Sequence, residues 1–371
     1  MKIFHICNNF GSVYKELFAE QKKQNNKVDA FFYTLNRHAP QLNLPEYFSA
    51  YYSNSYIRGP FLFHFRLLEI KKVLDMRFND ASRYDIIHAH MLFSDGDLAY
   101  TISKKYGIPF GVTVRNSDLN TWFYWKFSWN RNRGFKILKN AQFVIFHSIS
   151  YREKLLARLP KALKDLVLEK SYIVPNGIDM FWHDNTLHER KTQGDFAKRT
   201  INLLTVARIE KNKNQINVCK AINVLKSRGY NVQYFVIGKI IDSRVGAYLQ
   251  KQGAIILGEK SKEDVLEYYR KSDIYVMLSF HETFGLTYVE AMTQGLPVLY
   301  SQGEGFDKQF PEGCVGYAAD PYDELSIANC LEKIMSNYEK ISVNGTKLAR
   351  QFQWNIVAKL HDKIYSKTCG M

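Results

Sequence analysis

From Ile274 to Ser301 the chain reads as a strand, a glycine-containing turn, a short helix and a second strand. Ile274-Tyr275-Val276-Met277-Leu278 is a continuous apolar run, as in a strand covered on both faces. Leu286 to Gln294 reads as a helix, with Gly295 placed to cap its end and Pro297 to stop it. Val298-Leu299-Tyr300 then opens the next strand. A strand, a helix and a strand in such close succession predict a parallel pair, and a parallel sheet needs helices on both faces. The fold class that follows is α/β.

This arrangement places Glu282 at the carboxyl end of a parallel strand, where open α/β sheets bind ligands. Glu290 follows eight positions later, on the helix. The amides of Phe284, Gly285 and Leu286 are expected to be free at the helix start, which attracts phosphate. A diphosphate resting there, with a carboxylate on each side for sugar hydroxyls, suits a nucleotide-sugar. The alternative use of the two acids is to cap the helix's own first turn.

The same alternation runs through the rest of the chain. Strand candidates in the amino-terminal half are Lys2–Cys7, Val28–Tyr33, Ile86–His90, Phe110–Val114, Phe143–Phe146 and Tyr172–Val174, with helical stretches between most of them. Asp184 to Arg199 is polar and is read as an interdomain linker. A second alternation starts at Ile201 and runs to about Ser336. Asn344–Phe352 and Trp354–Tyr365 are helical in pattern. A chain of 371 residues suits two domains rather than one core.

Several further segments carry a family likeness. Val174-Pro175-Asn176-Gly177-Ile178-Asp179 has the form of an interdomain turn. Leu203-Leu204-Thr205-Val206-Ala207-Arg208, followed by Lys213, places two cations after a buried strand. Phe235-Val236-Ile237-Gly238 and Ile255-Ile256-Leu257-Gly258 are two further strand ends. Phe352-Gln353-Trp354 leads into the last helix. Together with the Glu282/Glu290 segment, these resemble the GT-B glycosyltransferases of family 4, the "glycosyl transferases group 1" family. The likeness covers nearly all of residues 170–366 and is looser before residue 150.

The resemblance implies two Rossmann-like domains facing each other across a cleft. Residues 1–183 would bind the acceptor and 184–350 the nucleotide-sugar, while 351–371 would form a helix crossing back to the first domain. It implies a metal-independent, retaining hexosyltransferase-type enzyme using a nucleotide-sugar donor, a UDP-sugar being expected. Arg208 and Lys213 would stabilise the charge that develops on the leaving diphosphate. Glu282 would reach the donor sugar, without acting as a nucleophile. Glu290 would hold the ribose, and the backbone around Gly238 and Lys260 the base. Gly11, in the first strand-to-helix loop, would let a phosphate or acceptor approach. Where the family usually places a histidine, this chain has Arg115, in Thr113-Val114-Arg115-Asn116-Ser117-Asp118. Arginine cannot serve as a base. It could grip a phosphate or an acidic sugar, with Asp118 replacing part of the lost polar contact, or the two could form an ion pair. A nucleotide-sugar epimerase and a GT-B-like binding protein without turnover are the rival readings.

His88 and His90 share one face of a strand, but with no third ligand in view no metal is expected there. Asp95-Gly96-Asp97 stands where a helix begins and is read as capping. Thr121 to Asn140 holds five Lys/Arg and no acid among many aromatics. This suits contact with an anionic inner membrane or a lipid-linked acceptor, or else a helix buried on one side with a solvated basic edge. Tyr56–Phe78 repeats the pattern more weakly.

The net charge of +15 is concentrated early, with 27 basic and 17 acidic residues in 1–190 against 24 and 19 in 191–371. Such a bias suits anionic partners. No nucleic-acid recognition motif accompanies it, so no nucleic-acid partner is expected. No apolar stretch reaches the roughly 18 residues of a membrane span. The first strand candidate is cut short by Asn8-Asn9 and is not read as a signal peptide. Five scattered cysteines suit free thiols in a reducing cytoplasm. Bacterial surface polysaccharide assembly on the cytoplasmic face of the membrane is the setting expected.

Overall fold

Short apolar runs separated by amphipathic stretches give this chain two parallel sheets. The structure, a computed structural model, describes residues 1–8, 11–34, 50–54, 63–77, 84–122, 128–187 and 195–371. It divides into two compact units. One holds Met1–His147, Arg152–Asn176 and Trp354–Met371, and the other Ser148–Tyr151 and Gly177–Gln353. The linker expected at Asp184–Arg199 thus falls inside the second unit's range, and its residues 188–194 lie outside those described.

The first unit carries β1 (Lys2–Asn8), β2 (Lys27–Thr34), β3 (Ala50–Asn54), β4 (Ile86–Ala89), β5 (Phe110–Val114), β6 (Phe143–Phe146) and β7 (Ser171–Ile173). Their order is β3-β2-β1-β4-β5-β6-β7, every pair parallel. The second carries β8 (Thr200–Val206), β9 (Asn231–Ile237), β10 (Ile255–Gly258), β11 (Ile274–Met277), β12 (Val298–Ser301) and β13 (Gly316–Ala319). Their order is β10-β9-β8-β11-β12-β13, again all parallel. In each sheet the winding reverses beside one strand, β1 or β8. The carboxyl ends at such a reversal are the natural ligand site.

Two edge strands escaped the sequence reading. β3 is Ala-Tyr-Tyr-Ser-Asn and β13 is Gly-Tyr-Ala-Ala, neither a strong apolar run. Gly316 in β13 has a packing reason, since a Cβ there would lie 1.7 Å from the Val298 carbonyl oxygen of β12.

The last helix, Trp354–Cys369, belongs to the first unit and packs on the helix Ser12–Lys23. Trp354, Val357, Ile364 and Tyr365 are buried there with Ile3, Leu17, Phe18 and Ile86. Each such side chain contributes about 1.5–3 kcal/mol when fully buried. The helix runs one turn beyond the Tyr365 end expected. No helix among the described residues is long and apolar enough to cross a membrane. All five cysteines are free.

Candidate functional site

In the second unit the expected strand–turn–helix forms. β11 ends at Met277 and the helix Leu286–Thr293 begins after Gly285, whose φ of 87° is left-handed. A Cβ on Gly285 would strike the Tyr288 ring at 2.4 Å. The Tyr288 hydroxyl donates to the Met277 carbonyl, tying the helix to β11. At the other end Gly295, with φ 69°, donates to Met292 and Leu296 to Ala291, a Schellman closure. The amides of Phe284, Gly285 and Leu286 donate no hydrogen bond among the described residues, so the anion-attracting helix start is present.

Glu282 does not cap that helix. Its carboxylate pairs with Lys213 at 2.8 Å, both side chains being under one-fifth exposed, and accepts the Thr283 amide. Lys213 comes from the loop after β8, the strand next to β11. The neighbouring residue, Asn212, binds the same loop three times. It accepts from the Phe280 amide through its carbonyl and from the His281 amide through Oδ1, and its Nδ2 donates to the His281 carbonyl. From the opposite side Glu304 accepts the Glu282 amide at 3.0 Å, while the Gly305 amide donates to the Glu282 carbonyl at 2.8 Å. A Cβ on Gly305 would lie 2.5 Å from the Phe284 nitrogen, so only glycine fits. Sequence reasoning missed Asn212, Glu304 and Gly305. The visible signals were the polar insertion between Lys211 and Lys213 and the Gly303-Glu304-Gly305 run after β12.

Arg208 stands apart from the Lys213–Glu282 pair. Its side chain is 64% exposed and meets Glu210 at 3.1 Å. Glu290, on the helix, accepts from the Tyr269 hydroxyl at 3.2 Å. Burial raises its pKa to about 7, against smaller opposing effects of Tyr269 and Lys262. Gly238 follows the last residue of β9 with φ 145°, and a Cβ would meet the Ala207 carbonyl oxygen at 2.1 Å. The strand end thus lies directly on the chain that leads into Arg208. Lys260 is exposed in the loop after β10.

In the first unit Arg115 follows β5. Its Nε donates to the His90 carbonyl at 2.9 Å and its guanidinium lies 5.1 Å from the Tyr14 ring centre. The expected ion pair with Asp118 does not form. The Asp118 carboxylate is fully buried and accepts the backbone amides of Leu92, Phe93 and Arg115. Burial raises its pKa to about 6. It ties the turn just before the helix Ser94–Tyr106 to the start of the loop after β5, so its oxygens accept from the backbone.

Asp95 and Asp97, read as capping groups, do other work. Asp95 accepts from the Tyr33 hydroxyl, Ser94 Oγ and the Asn8 amide, and burial raises its pKa to about 7. Asp97 pairs with Arg133 and Lys71. Gly11 precedes the helix Ser12–Lys23 with ordinary extended backbone, and a Cβ there would meet nothing within 4 Å. Its neighbours Asn9 and Phe10 lie outside the described residues.

The third histidine absent from the sequence reading is His5, on β1. His5, His88 and His90 are buried with ring nitrogens within 4.8 Å of one another. His5 Nδ1 meets His90 Nε2 at 2.9 Å, and its Nε2 meets Gln21. His88 is held by Tyr365 at 2.6 Å and Thr113 at 2.8 Å. The rings thus bond to each other and to the last helix. Burial lowers all three pKa values, that of His5 to about 3.

Of the basic aromatic segment Thr121–Asn140, residues 123–127 lie outside those described. The helix Ser128–Asn140 buries Ile137 and Leu138 and exposes Arg131, Lys136 and Lys139, a packed face with a solvated basic edge. In the earlier basic stretch, the helix Phe63–Arg77 exposes Phe65 and Leu68.

Comparison with known proteins agrees with this architecture. Residues 11–180 match the family described as Glycosyltransferase Family 4, and residues 188–351 the family Glycosyl transferases group 1. The alpha-monoglucosyldiacylglycerol synthase of Acholeplasma laidlawii is 24% identical over 304 residues, 76% of this chain and 75% of that protein. Sucrose-phosphate synthase from Thermosynechococcus elongatus superposes with a TM-score of 0.75 at 17% identity, covering 99% of this chain and 98% of that one. Anabaena HepE in complex with UDP gives 0.72 at 15% identity, covering 99% and 100%. With two parallel α/β units, the paired Glu282 and Lys213 at the strand ends and both family matches in register with the units, the chain belongs to the GT-B glycosyltransferases of group 1.

Proposed function

We propose that the protein transfers a sugar, with retention of configuration and without a metal, from a UDP-sugar to a lipid-linked glycan acceptor in bacterial glycolipid or surface polysaccharide assembly. The observation that carries the nucleotide-sugar reading is the second unit's strand-end site. There unbonded amides of Phe284, Gly285 and Leu286 adjoin the Lys213–Glu282 pair. HepE is solved with UDP, and the Acholeplasma relative is named for a glucosylated diacylglycerol. These support the donor and a membrane-linked acceptor.

The geometry suggests a division of labour. The diphosphate rests on the helix start, where amides and the helix dipole favour negative charge. Lys213 has three donors, so it can hold Glu282 and still donate to a phosphate oxygen. Arg208, exposed just after β8, adds its charge to the diphosphate. The charge growing on the departing phosphate is thereby met by fixed donors. Glu282, braced by Asn212, Lys213 and Glu304, faces the sugar, and Glu290 accepts from the ribose.

The test is thermal stability with a panel of nucleoside diphosphates and nucleotide-sugars, with and without a chelator. A ligand that binds only the folded state raises the melting temperature. UDP or one UDP-sugar is expected to stabilise the wild type, with the chelator present, and Arg208→Ala much less. The responding sugar is then offered with a lipid-linked acceptor and the anomeric configuration of the product read by NMR. Absence of any nucleotide response, or an inverted product, sinks the corresponding part of the reading.

A further inference from the structure

Among the described residues Arg115 forms no ion pair, although its charge is felt by the Asp118 carboxylate. Arg115 is half-buried at the carboxyl end of β5, beside the sheet reversal at β1 and β4. Its Nε donates to the His90 carbonyl and its guanidinium carbon lies over the Tyr14 ring, two contacts that hold its direction. Among the described residues no carboxylate lies within ion-pair distance of it. Asp118 accepts three backbone amides, and Asp95 accepts from Tyr33, Ser94 and Asn8. Partly withdrawn from water and with donors to spare, such a guanidinium is suited to receive an anion. Its positive field also reaches the buried histidines 88, 90, 147 and 361, helping to keep each neutral. A guanidinium always carries its charge and presents a planar fork that matches carboxylate and phosphate. The turn that follows, Asp118–Trp122, is π-helical, a rare geometry that is frequent at functional sites.

We propose that Arg115 is an anion-binding residue, receiving a carboxylate or phosphate group carried by one of the enzyme's two sugar substrates. The inference deepens the glycosyltransferase reading, since it requires that a sugar substrate be acidic. The anion has two possible sources, the transferred sugar of the donor or the acceptor.

The experiment uses the full chain and compares wild type with Arg115→Ala, Arg115→Met and Arg115→Lys by calorimetric titration at constant ionic strength. The probes are UDP, UDP-glucose, UDP-glucuronate, glucuronate, glucose 6-phosphate and, as the uncharged control, methyl glucoside. A charge-assisted contact of this kind is expected to alter affinity about tenfold or more. If the donor is the source, UDP-glucuronate binds wild type at least about tenfold more tightly than UDP-glucose, and the gap closes in Arg115→Ala and Arg115→Met. If the acceptor is the source, glucose 6-phosphate or glucuronate binds wild type in the presence of UDP and the two variants do not bind it. Arg115→Lys retains part of either effect, because it keeps the charge but not the fork. The proposal is overturned if the acidic probes bind the variants as they bind wild type, or no better than methyl glucoside. UDP affinity separates the two hypotheses. If UDP binds every form equally while the acidic probes show no dependence on residue 115, the nucleotide site stands and the anion site falls. If the acidic probes depend on residue 115 but UDP binds nothing, the anion site stands and the nucleotide reading falls. Should Arg115→Ala fail to fold, Arg115→Met and Arg115→Lys decide the same comparison.

Discussion

Glu290 gives the site a pH dependence that can be worked out in sign. Its pKa rises from 4.5 in the free state to about 7 in the fold because burial disfavours the charge. Below pH 7 it is therefore mostly protonated and a poorer acceptor for ribose hydroxyls. Nucleotide affinity is expected to fall as pH drops from 8 to 6, approaching about tenfold per unit below the pKa. Titration calorimetry at several pH values checks this, and Glu290→Gln should flatten the profile. Stability moves the other way, since the folded state holds the proton more tightly between pH 4.5 and 7, so this group's contribution weakens as pH rises through that window. Gly285 offers a second test. With left-handed backbone and the Tyr288 ring at 2.4 Å from any Cβ, Gly285→Ala should cost about 1–3 kcal/mol in urea unfolding and misplace the amides that follow. The strand–turn–helix that carries Glu282, Gly285 and Glu290 was legible from its apolar run and its helix-ending signals, whereas Lys213 was singled out by family resemblance. Asn212, Glu304 and His5 were not legible. Their roles come from loops and strands brought together across 69, 22 and 85 positions of sequence, which no local pattern encodes.

Among elements, β1 and β4 are joined by more than their ladder. The ring contacts of His5, His88 and His90 bind both strands to one another, and Tyr365 binds them to the last helix. These rings are kept neutral, with the pKa of His5 lowered from 6.5 to about 3 and those of His88 and His90 lowered well below 6.5. The unfolded chain then binds more protons than the fold wherever pH lies below 6.5, and stability is lost as the solution is acidified. At pH 5 His5 alone costs about 2 kcal/mol relative to pH 8, and His88 and His90 act in the same direction. Denaturant unfolding at the two pH values should show the first unit weakening sharply, and His88→Phe should remove part of the pH slope. The strands themselves were well marked in the sequence, because strands buried on both faces read as unbroken apolar runs. The edges β3 and β13 were not, because an edge strand needs less apolar surface and tolerates Gly, Ser and Asn. The Asp95–Asp97 pair shows the limit of local rules. Acids at a helix start suggested capping, yet among the described residues no side chain caps this helix, and Asp95 and Asp97 are instead held by Tyr33 and Arg133 from other elements.

At the scale of the whole molecule, the first unit is built from three stretches, Met1–His147, Arg152–Asn176 and Trp354–Met371, the last separated from the others by nearly all of the second unit. Trp354 is buried with Ile3, Leu17 and Phe18, so Trp354→Ala should cost about 3–5 kcal/mol. Tryptophan fluorescence and unfolding curves would record it as loss of the first unit alone, with UDP still stabilising the second. The closing helix was legible from its amphipathic pattern, whereas its landing site rested on family resemblance, since periodicity says which face is apolar and not what covers it. This interleaved architecture has a consequence for synthesis. A chain emerging from the ribosome exposes residues 1–176 first, yet their core stays open until Trp354–Met371 arrives. The segment made in between, Gly177–Gln353, has all of its strands before then. Birth order and completion order are therefore opposed, and the half of the protein that is made first is the half that is finished last.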